Sequence, residues 1–298
     1  MILTFSGLSI SQCPKQTVQQ VRSLRNKTAV HACNDTDIFH PDFSSDKQLS
    51  VKEAGLQAHT ELVVTQKDLD YVFARWFSPP YLQHNPFLGS GLEPVMAFKK
   101  QFVPGTKTTI FRVISEGDII AIHQSVIDFS IVPDAVGVDF YRLRGGKIVE
   151  HWDAMEPSYG GKSGLDILSG EKELTDINQT EINRELARAF VKKILIGGQT
   201  DKISDYVSAD LTEHCPLIEQ GISGLKAFLE AGSTKWQQFG RVIGEGNFVW
   251  SSCYGTFADA PFVLYDLFRV AGGKIVEHWR VKQPVQEKTT SGLDMLLE

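Results

Sequence analysis

Gly145-Gly146-Lys147-Ile148-Val149-Glu150-His151-Trp152 returns, residue for residue, as Gly272-Gly273-Lys274-Ile275-Val276-Glu277-His278-Trp279. The residue after each copy differs: Asp153 follows the first and Arg280 the second. Two further pairs keep the same order. Tyr81-Leu-Gln-His-Asn-Pro86 is echoed by Leu211-Thr-Glu-His-Cys-Pro216, and Arg112-Val-Ile-Ser-Glu-Gly117 by Arg241-Val-Ile-Gly-Glu-Gly246. Three ordered matches at a spacing of about 130 residues point to internal repetition. That period suits a whole domain with its own core rather than a solenoid unit. The expected division is an N-terminal extension over 1–46, a first domain over 47–159, a linker over 160–177, a second domain over 178–288 and a tail over 289–298.

Composition bounds the function without naming it. The 298 residues are 42% hydrophobic and 22% charged, enough apolar material for two cores, and the formal charge of −6 provides no broad basic field for nucleic acid. No apolar run is long enough to cross a bilayer, and the opening residues lack the basic leader of a signal peptide, so no membrane partner is expected and the cytoplasm is the default location. Cys13, Cys33, Cys215 and Cys253 are too scattered for a metal knuckle and suit free thiols in a reducing compartment.

Apolar residues recur at helical spacing over 47–62 and 69–76, and a turn is expected at Ser78-Pro79-Pro80. In the second half an amphipathic helix over 182–196 should stop at Gly197-Gly198, which tolerate the left-handed cap conformation. Strands follow over 106–114, 119–126, 136–143 and 147–155, the last two joined by a glycine hairpin turn at Arg144-Gly145-Gly146. Helices first and an antiparallel sheet afterwards predict an α+β domain, twice over. Gly160-Gly161-Lys162-Ser163-Gly164 resembles a phosphate loop only superficially, lacking its glycine spacing, and reads as linker.

Strand alternation selects the polar groups able to share a cavity. His151 and Asp153 face one way and Trp152 the other, and Asp139 with Tyr141, which share one parity of the preceding strand, meets them on one sheet face provided register brings the two strands' polar sides together. His123 can join from a neighbouring strand. Two adjacent carboxylates in a desolvated pocket split their proton affinities, and a histidine beside them can orient or relay the proton. Asp153 is the expected base, supported by Asp139 and His151. The bland alternative is an internal His151–Asp139 pair with Asp153 at a solvent-facing edge. His84 and Asn85, before Pro86, are candidate ligand contacts or satisfiers of the local backbone. Trp152 is a candidate ligand contact, and it and Trp279 also suit a core or inter-sheet position. His84, His123, Asp139, His151 and Asp153 lack a close metal-ligand pattern, so no metal is expected. A cysteine nucleophile at Cys215 or Cys253 has no histidine placed beside it by spacing.

At Gln83-His84-Asn85-Pro86, Asp139-Phe140-Tyr141-Arg142 and Gly146–Asp153 the chain resembles the SnoaL-like polyketide cyclase family. The resemblance covers about 48–158 and, more weakly, 178–285. It implies the cone of nuclear transport factor-like and ketosteroid isomerase-like proteins, a curved, mostly antiparallel sheet with N-terminal helices enclosing an apolar pocket, here as a tandem pair. It also implies cofactor-independent acid–base chemistry on a small apolar or carbonyl-containing compound, as in a cyclase or isomerase, with Asp153 at the family's acid/base position. Its motifs define a fold better than an activity, since such cones also serve noncatalytic binders. The second copy departs where the chemistry resides. Asp266 and His278 remain, but Arg280 replaces the carboxylate, Phe268 replaces Tyr141 and Ser252 replaces His123. Arg280 can bind an anion or pair with Asp266. A silent second domain covering the first one's open sheet face, in a monomeric chain, is the expected arrangement. Two classes stay open: an enzyme, and a noncatalytic binding or structural protein.

Overall fold

The computed structural model describes residues 49–102, 104–132, 134–158 and 164–298. The N-terminal extension, Cys13, Cys33 and residues 160–163 of the glycine-rich linker lie outside them.

The first half opens with helix α1 (Val51–His59), whose start is fixed by a capping box. Glu53 N–H donates to Ser50 Oγ at 3.2 Å and Ser50 N–H to Glu53 Oε2 at 2.7 Å. One wider π-helical turn, Thr60–Val64, continues it. Helix α2 (Leu69–Trp76) starts on the Asp68 side-chain cap. Then come β1 (Phe77–Gln83), α3 (Leu92–Phe102), β2 (Lys107–Glu116), β3 (Ile119–Ile127), β4 (Asp134–Arg144) and β5 (Lys147–Pro157). They form a five-stranded sheet in the order β1-β5-β4-β3-β2, antiparallel except where β1 runs parallel to β5.

The second half repeats this plan. Helix α4 (Thr180–Phe190) runs into a π-helical turn, Val191–Ile196, and is followed by β6 (Val207–Glu213), α5 (Gly221–Ala231), β7 (Thr234–Glu245), β8 (Phe248–Phe257), β9 (Ala260–Ala271) and β10 (Lys274–Pro284). The sheet order is β6-β10-β9-β8-β7, again with one parallel pair. The protein is therefore α+β with two similar helix-backed sheets. Both repeated Gly-Gly pairs turn hairpins with φ of 57° and 74° at Gly145 and Gly146 and 56° and 73° at Gly272 and Gly273, values a Cβ-bearing residue rarely adopts.

The expected turn at Ser78-Pro79-Pro80 is instead part of β1. Phe77 pairs with Ile148 and Leu82 with Glu150, so the chain bulges between them. The prolines have no N–H for a ladder, and an edge strand with a bulge is where a sheet tolerates them.

Each sheet has two buried faces. The inner face of the first packs on its helices: Leu56, Val72, Phe73 and Trp76 meet Ile120, Ile122, Tyr141 and Ile148. Gly55 permits this approach, since a Cβ there would stand 2.6 Å from Ile120 Cγ2. The outer faces of the two sheets pack on each other. Val138, Phe140, Trp152 and Ala154 share one cluster with Trp250, Tyr265, Leu267 and Trp279, and Phe140 lies 4.9 Å from Tyr265 between ring centroids. The two sheets thus meet back to back through these outer faces.

Two peptides cross this contact, and they too are repeats. Gly164-Leu-Asp-Ile-Leu168 in the linker matches Gly292-Leu-Asp-Met-Leu296 in the tail, a similarity too short to stand out by itself. In each, the aspartate turns the chain by accepting the backbone N–H two residues on, Leu168 to Asp166 at 2.8 Å and Leu296 to Asp294 at 2.7 Å. Trp279 Nε1–H donates to Ser169 O at 3.0 Å and Trp152 Nε1–H to Leu296 O at 3.1 Å. The peptide following each half thus straps onto the tryptophan of the other.

Candidate active site

The inner face of the first sheet carries a buried polar group where the apolar cluster opens. Register places it: Asp139 on β4 lies opposite Asp153 on β5, and Tyr141 opposite His151, so all four side chains point to the helix side. One donor atom from each of Asp139, His151 and Asp153 lies within 4.8 Å of the others. Asp139 and His151 are buried, Asp153 is half-buried, and the sequence-derived trio is brought together.

Donor and acceptor pairing fixes the protons. Gln83 Oε1 accepts the Asn85 backbone N–H at 2.9 Å, so the same oxygen, 3.1 Å from His151 Nδ1, must accept a proton from that ring too. The other ring nitrogen, Nε2, lies 2.8 Å from Asp139 Oδ1. With a proton held at Nδ1, one more proton is shared between Nε2 and the Asp139 carboxylate. On the far side of Asp139 a hydrogen-bonded ring closes. Gln124 Nε2–H donates to Asp139 Oδ2, Gln124 Oε1 accepts from His59 Nε2–H at 2.6 Å, His59 Nδ1 lies 2.9 Å from the Tyr141 hydroxyl, and that hydroxyl is 3.3 Å from Asp139 Oδ1. Burial holds the His59 pKa below its usual value, against the Asp139 charge and the Gln124 hydrogen bond, which raise it.

The two aspartates are driven apart. Burial alone would raise Asp139, but the His151 hydrogen bond and the charges of His59, His151 and Lys99 outweigh it and bring its pKa down to about 2. Asp153 moves up, because burial disfavours its charge and the Asp139 carboxylate repels it, against the opposing His151 charge and Asn85 hydrogen bond. Asn85 Nδ2 donates to both Asp153 oxygens at 3.0 Å, and its own carbonyl accepts the Phe87 N–H at 2.9 Å, which fixes the amide's orientation. A pair of carboxylates with opposed proton affinities is an arrangement that separates an anchored charge from a mobile proton.

Other sequence candidates fall elsewhere. His123 is not in this group. On β3 it pairs with Val138, one residue out of phase with Ile122 opposite Asp139, so it points to the outer face, where it lies 3.3 Å from Arg112 and against Trp250. Trp152 is likewise outward, 2% exposed in the inter-sheet cluster, which removes it as a ligand contact. His84 stacks on Trp152 at 4.4 Å, lies 2.9 Å from Glu150 Oε1 and donates to the Asp294 carbonyl, which places it outside this group. Of that pair only Asn85 reaches the site. Sequence reading missed His59, Gln124 and Lys99. Gln124 has the right strand parity, whereas the two helical residues carry no signal of their own.

Asp139, His151 and Asp153 have donor chemistry for a divalent ion, but His151 would have to give up its bond to Asp139 to coordinate one, and its other nitrogen is held as N–H by Gln83. The residues present therefore fit a proton network better than a metal.

In the second half the matching place is closed by ion pairs. Asp266, fully buried, accepts from Arg280 Nε–H at 2.7 Å and Trp236 Nε1–H at 2.8 Å and lies 3.0 Å from His278 Nε2. His278 Nδ1 lies 2.8 Å from Glu213, the residue in the place of Gln83. Against the burial that disfavours its charge, Glu213 and Asp266 raise the His278 pKa to about 9. Phe190, Cys253 and Phe268 stand where His59, Gln124 and Tyr141 form the ring, and Cys215 stands in the place of Asn85. Asp266, His278 and Arg280 thus meet, with Arg280 paired to Asp266. Cys215 and Cys253 are free and buried, and burial pushes the Cys215 thiol up to about 12, opposite to what a nucleophile needs.

Comparison with known proteins agrees in part. The SnoaL-like domain family matches residues 56–151. No curated protein matches the chain. Among solved structures, an NTF-2 like protein of unknown function from Burkholderia xenovorans LB400 is 19% identical over 37% of this chain and 89% of its own, with a TM-score of 0.33. An LEH-like epoxide hydrolase of M. tuberculosis is 15% identical over 35% of this chain and 85% of its own, with a TM-score of 0.29.

Proposed function

We propose that the first half is a SnoaL-like acid–base enzyme, a cyclase or isomerase acting without a cofactor on a small apolar carbonyl compound, and that the second is a divergent copy without this chemistry. The observation that carries the reading is the opposed pair Asp139 and Asp153. Asp139 anchors charge on His151 and the Gln124–His59–Tyr141 ring, leaving Asp153, oriented by Asn85, as the group free to exchange a proton.

In this reading the Asp153 carboxylate removes the proton on the carbon next to a carbonyl, and the C–H electron pair moves to the carbonyl oxygen as an enolate. Return of the proton from Asp153 to a different carbon gives an isomer; attack of the enolate carbon on a second carbonyl, followed by protonation of the new alkoxide, gives a ring. Lys99 on α3 is the cation for the developing oxygen charge. Its ammonium acts on both aspartates, and burial lowers its pKa. The aliphatic and aromatic side chains beside Tyr81 and Tyr141 exclude water, which strengthens each of these interactions.

The test needs no named substrate. Small enolisable ketones in D2O are followed by NMR for exchange of the α-proton. The intact protein is expected to catalyse exchange, and Asp153→Asn to lose it by about 10²-fold or more while keeping its thermal unfolding midpoint. Undiminished exchange in Asp153→Asn would remove Asp153 as the base. The reading also includes a monomer, because the sheet face such cones use for pairing is covered within the chain. Light scattering at micromolar concentration tests it, and a stable dimer contradicts it.

A further inference from the structure

The segment carrying Asn85 is held from both halves. Within its own half His84 N–H donates to His151 O at 2.9 Å, Asn85 N–H to the Gln83 side chain, Leu88 N–H to Asn85 O at 3.2 Å, and the His84 ring lies 2.9 Å from Glu150 Oε1; the tail of the other half adds a second set of bonds. Thr290 N–H donates to Pro86 O at 2.9 Å, and Thr290 Oγ1–H to the same carbonyl at 3.1 Å. The Asp294 carbonyl accepts from the His84 ring. Residue 85 is therefore gripped on both sides, at 84 and at 86, by a peptide more than 200 residues later in the chain. That peptide is itself rigidly seated. Met295, Leu296 and Leu297 are no more than 3% exposed, and their carbonyls accept from Tyr265 at 3.1 Å, Trp152 at 3.1 Å and Ser252 at 2.8 Å.

We propose that the C-terminal strap, through Thr290 and Asp294, is a positioning element of the first half's site, fixing the backbone of residues 84–86 so that the Asn85 amide stays on both oxygens of Asp153. The proposal rests on the reading of Asp153 as the working carboxylate only for its functional meaning; the placement of Asn85 is tested separately. It assigns the second half a part in the chemistry it no longer performs. Its own polar residues are locked in ion pairs, yet its tail completes the neighbouring site. It also explains why the tail keeps a donor pair at Thr290 beyond the apolar residues that seal the shared core.

The experiment is an NMR titration of the Asp153 side-chain carboxyl in the full chain, alongside Asn85→Ala, Thr290→Val, Thr290→Pro and the double variant Asn85→Ala/Thr290→Pro. The groups facing Asp153 that must be followed with it are Asp139 and His151 on the sheet, His59 on α1, Lys99 on α3, Tyr81 on β1 and Tyr141 on β4. Losing the Asn85 bonds removes stabilisation of the charged form, so Asn85→Ala should raise the midpoint by roughly one pH unit. Thr290→Pro, which removes both donors to Pro86, should raise it by a similar amount, and Thr290→Val, which removes the hydroxyl alone, by less. The double variant should match Asn85→Ala, because the strap acts through Asn85. An unmoved midpoint in Thr290→Pro, or shifts that add in the double variant, overturns the proposal. If Thr290→Pro does not fold, the near-isosteric Thr290→Val decides, and a midpoint equal to that of the unaltered protein is then the negative result. An activity loss in Asp153→Asn has no bearing on these outcomes, so the two readings fail separately.

Discussion

Both halves present a histidine and an aspartate at the same register positions, His151 with Asp139 and His278 with Asp266, yet the first leaves a carboxylate with a spare proton affinity and the second leaves none. The difference is made by five substitutions around a common pair. Arg280 in place of Asp153 brings a permanent charge onto Asp266. Glu213 in place of Gln83 makes His278 a fixed cation between two anions. Phe190, Cys253 and Phe268 remove the hydrogen-bonded ring. A closed set of ion pairs stabilises a fold but has no group left to titrate near neutral pH. The comparison teaches that the His-Trp strand is common to both halves, and that the residue after it, with its partners across the sheet, decides whether a carboxylate is left outside the ion pairs.

The comparison is broken most forcefully at Arg280. Arg280→Met strips the cation from a fully buried Asp266 and should cost about 3–5 kcal/mol of stability by chemical denaturation, whereas Asp153→Asn should cost less than about 1 kcal/mol. Equal losses at the two sites would erase the distinction between a structural and a working position.

Next in size is the pH response. The His278 pKa is raised from 6.5 to about 9 in the fold, so its contribution is fully present below pH 6.5 and is lost as pH rises through about 9, a loss on the order of 3 kcal/mol. Asp139 is lowered from 3.8 to about 2, so its contribution is present above 3.8 and disappears as pH falls toward 2. Urea denaturation as a function of pH should show an alkaline limb abolished by His278→Gln and an acid limb from which this variant removes only the share that His278 gives Asp266, leaving the Asp139 share in place.

A smaller effect sharpens the comparison from the other side. Gln83→Glu gives the first half the second's acceptor, adding negative charge close to Asp153. The acid limb of α-proton exchange should move up by about one pH unit, while a limb that stays in place would show that Gln83 is electrostatically remote. The smallest effect belongs to the shared tryptophans. Trp152→Phe and Trp279→Phe each remove one hydrogen bond to a strap, and each should lower stability by about 1 kcal/mol in thermal unfolding; a large inequality between them would deny the equivalence of the straps.

Much of this was legible in the sequence because hairpins carry local signals. Parity grouped His151 with Asp153 and Asp139 with Tyr141, but their meeting depends on a bulge that the Gly-Gly turn does not announce: Leu143 pairs with Ile148 and Arg142 with Glu150, which sets Asp139 opposite Asp153 instead of Trp152. His123 failed because no tight turn sets the register of β3 against β4, and a shift of one residue moves every side chain to the opposite face. His59 reaches the site from one helix and Lys99 adds its charge from another, and the packing angle of a helix on a sheet is not written in its spacing. Ser78-Pro79-Pro80 reads as a turn by composition, but an edge strand can bulge around the missing donors. The strap at 292–296 is a short echo of 164–168, and its meaning lies in contacts with residues on the far side of the chain.

The cluster joining Phe140 and Trp152 to Trp250 and Trp279 has a consequence for how the chain can change over generations. Each half presents one face to the other and one to its own helices, and the two faces answer to different demands. A substitution on the shared face, at Phe140 or Tyr265 for example, is felt by both halves at once; one on the inner face of the second half, as at Arg280, is felt there alone. The inner face of the second half can therefore hold ion pairs where the first holds carboxylates, while the outer face of each stays bound to the demands of its neighbour.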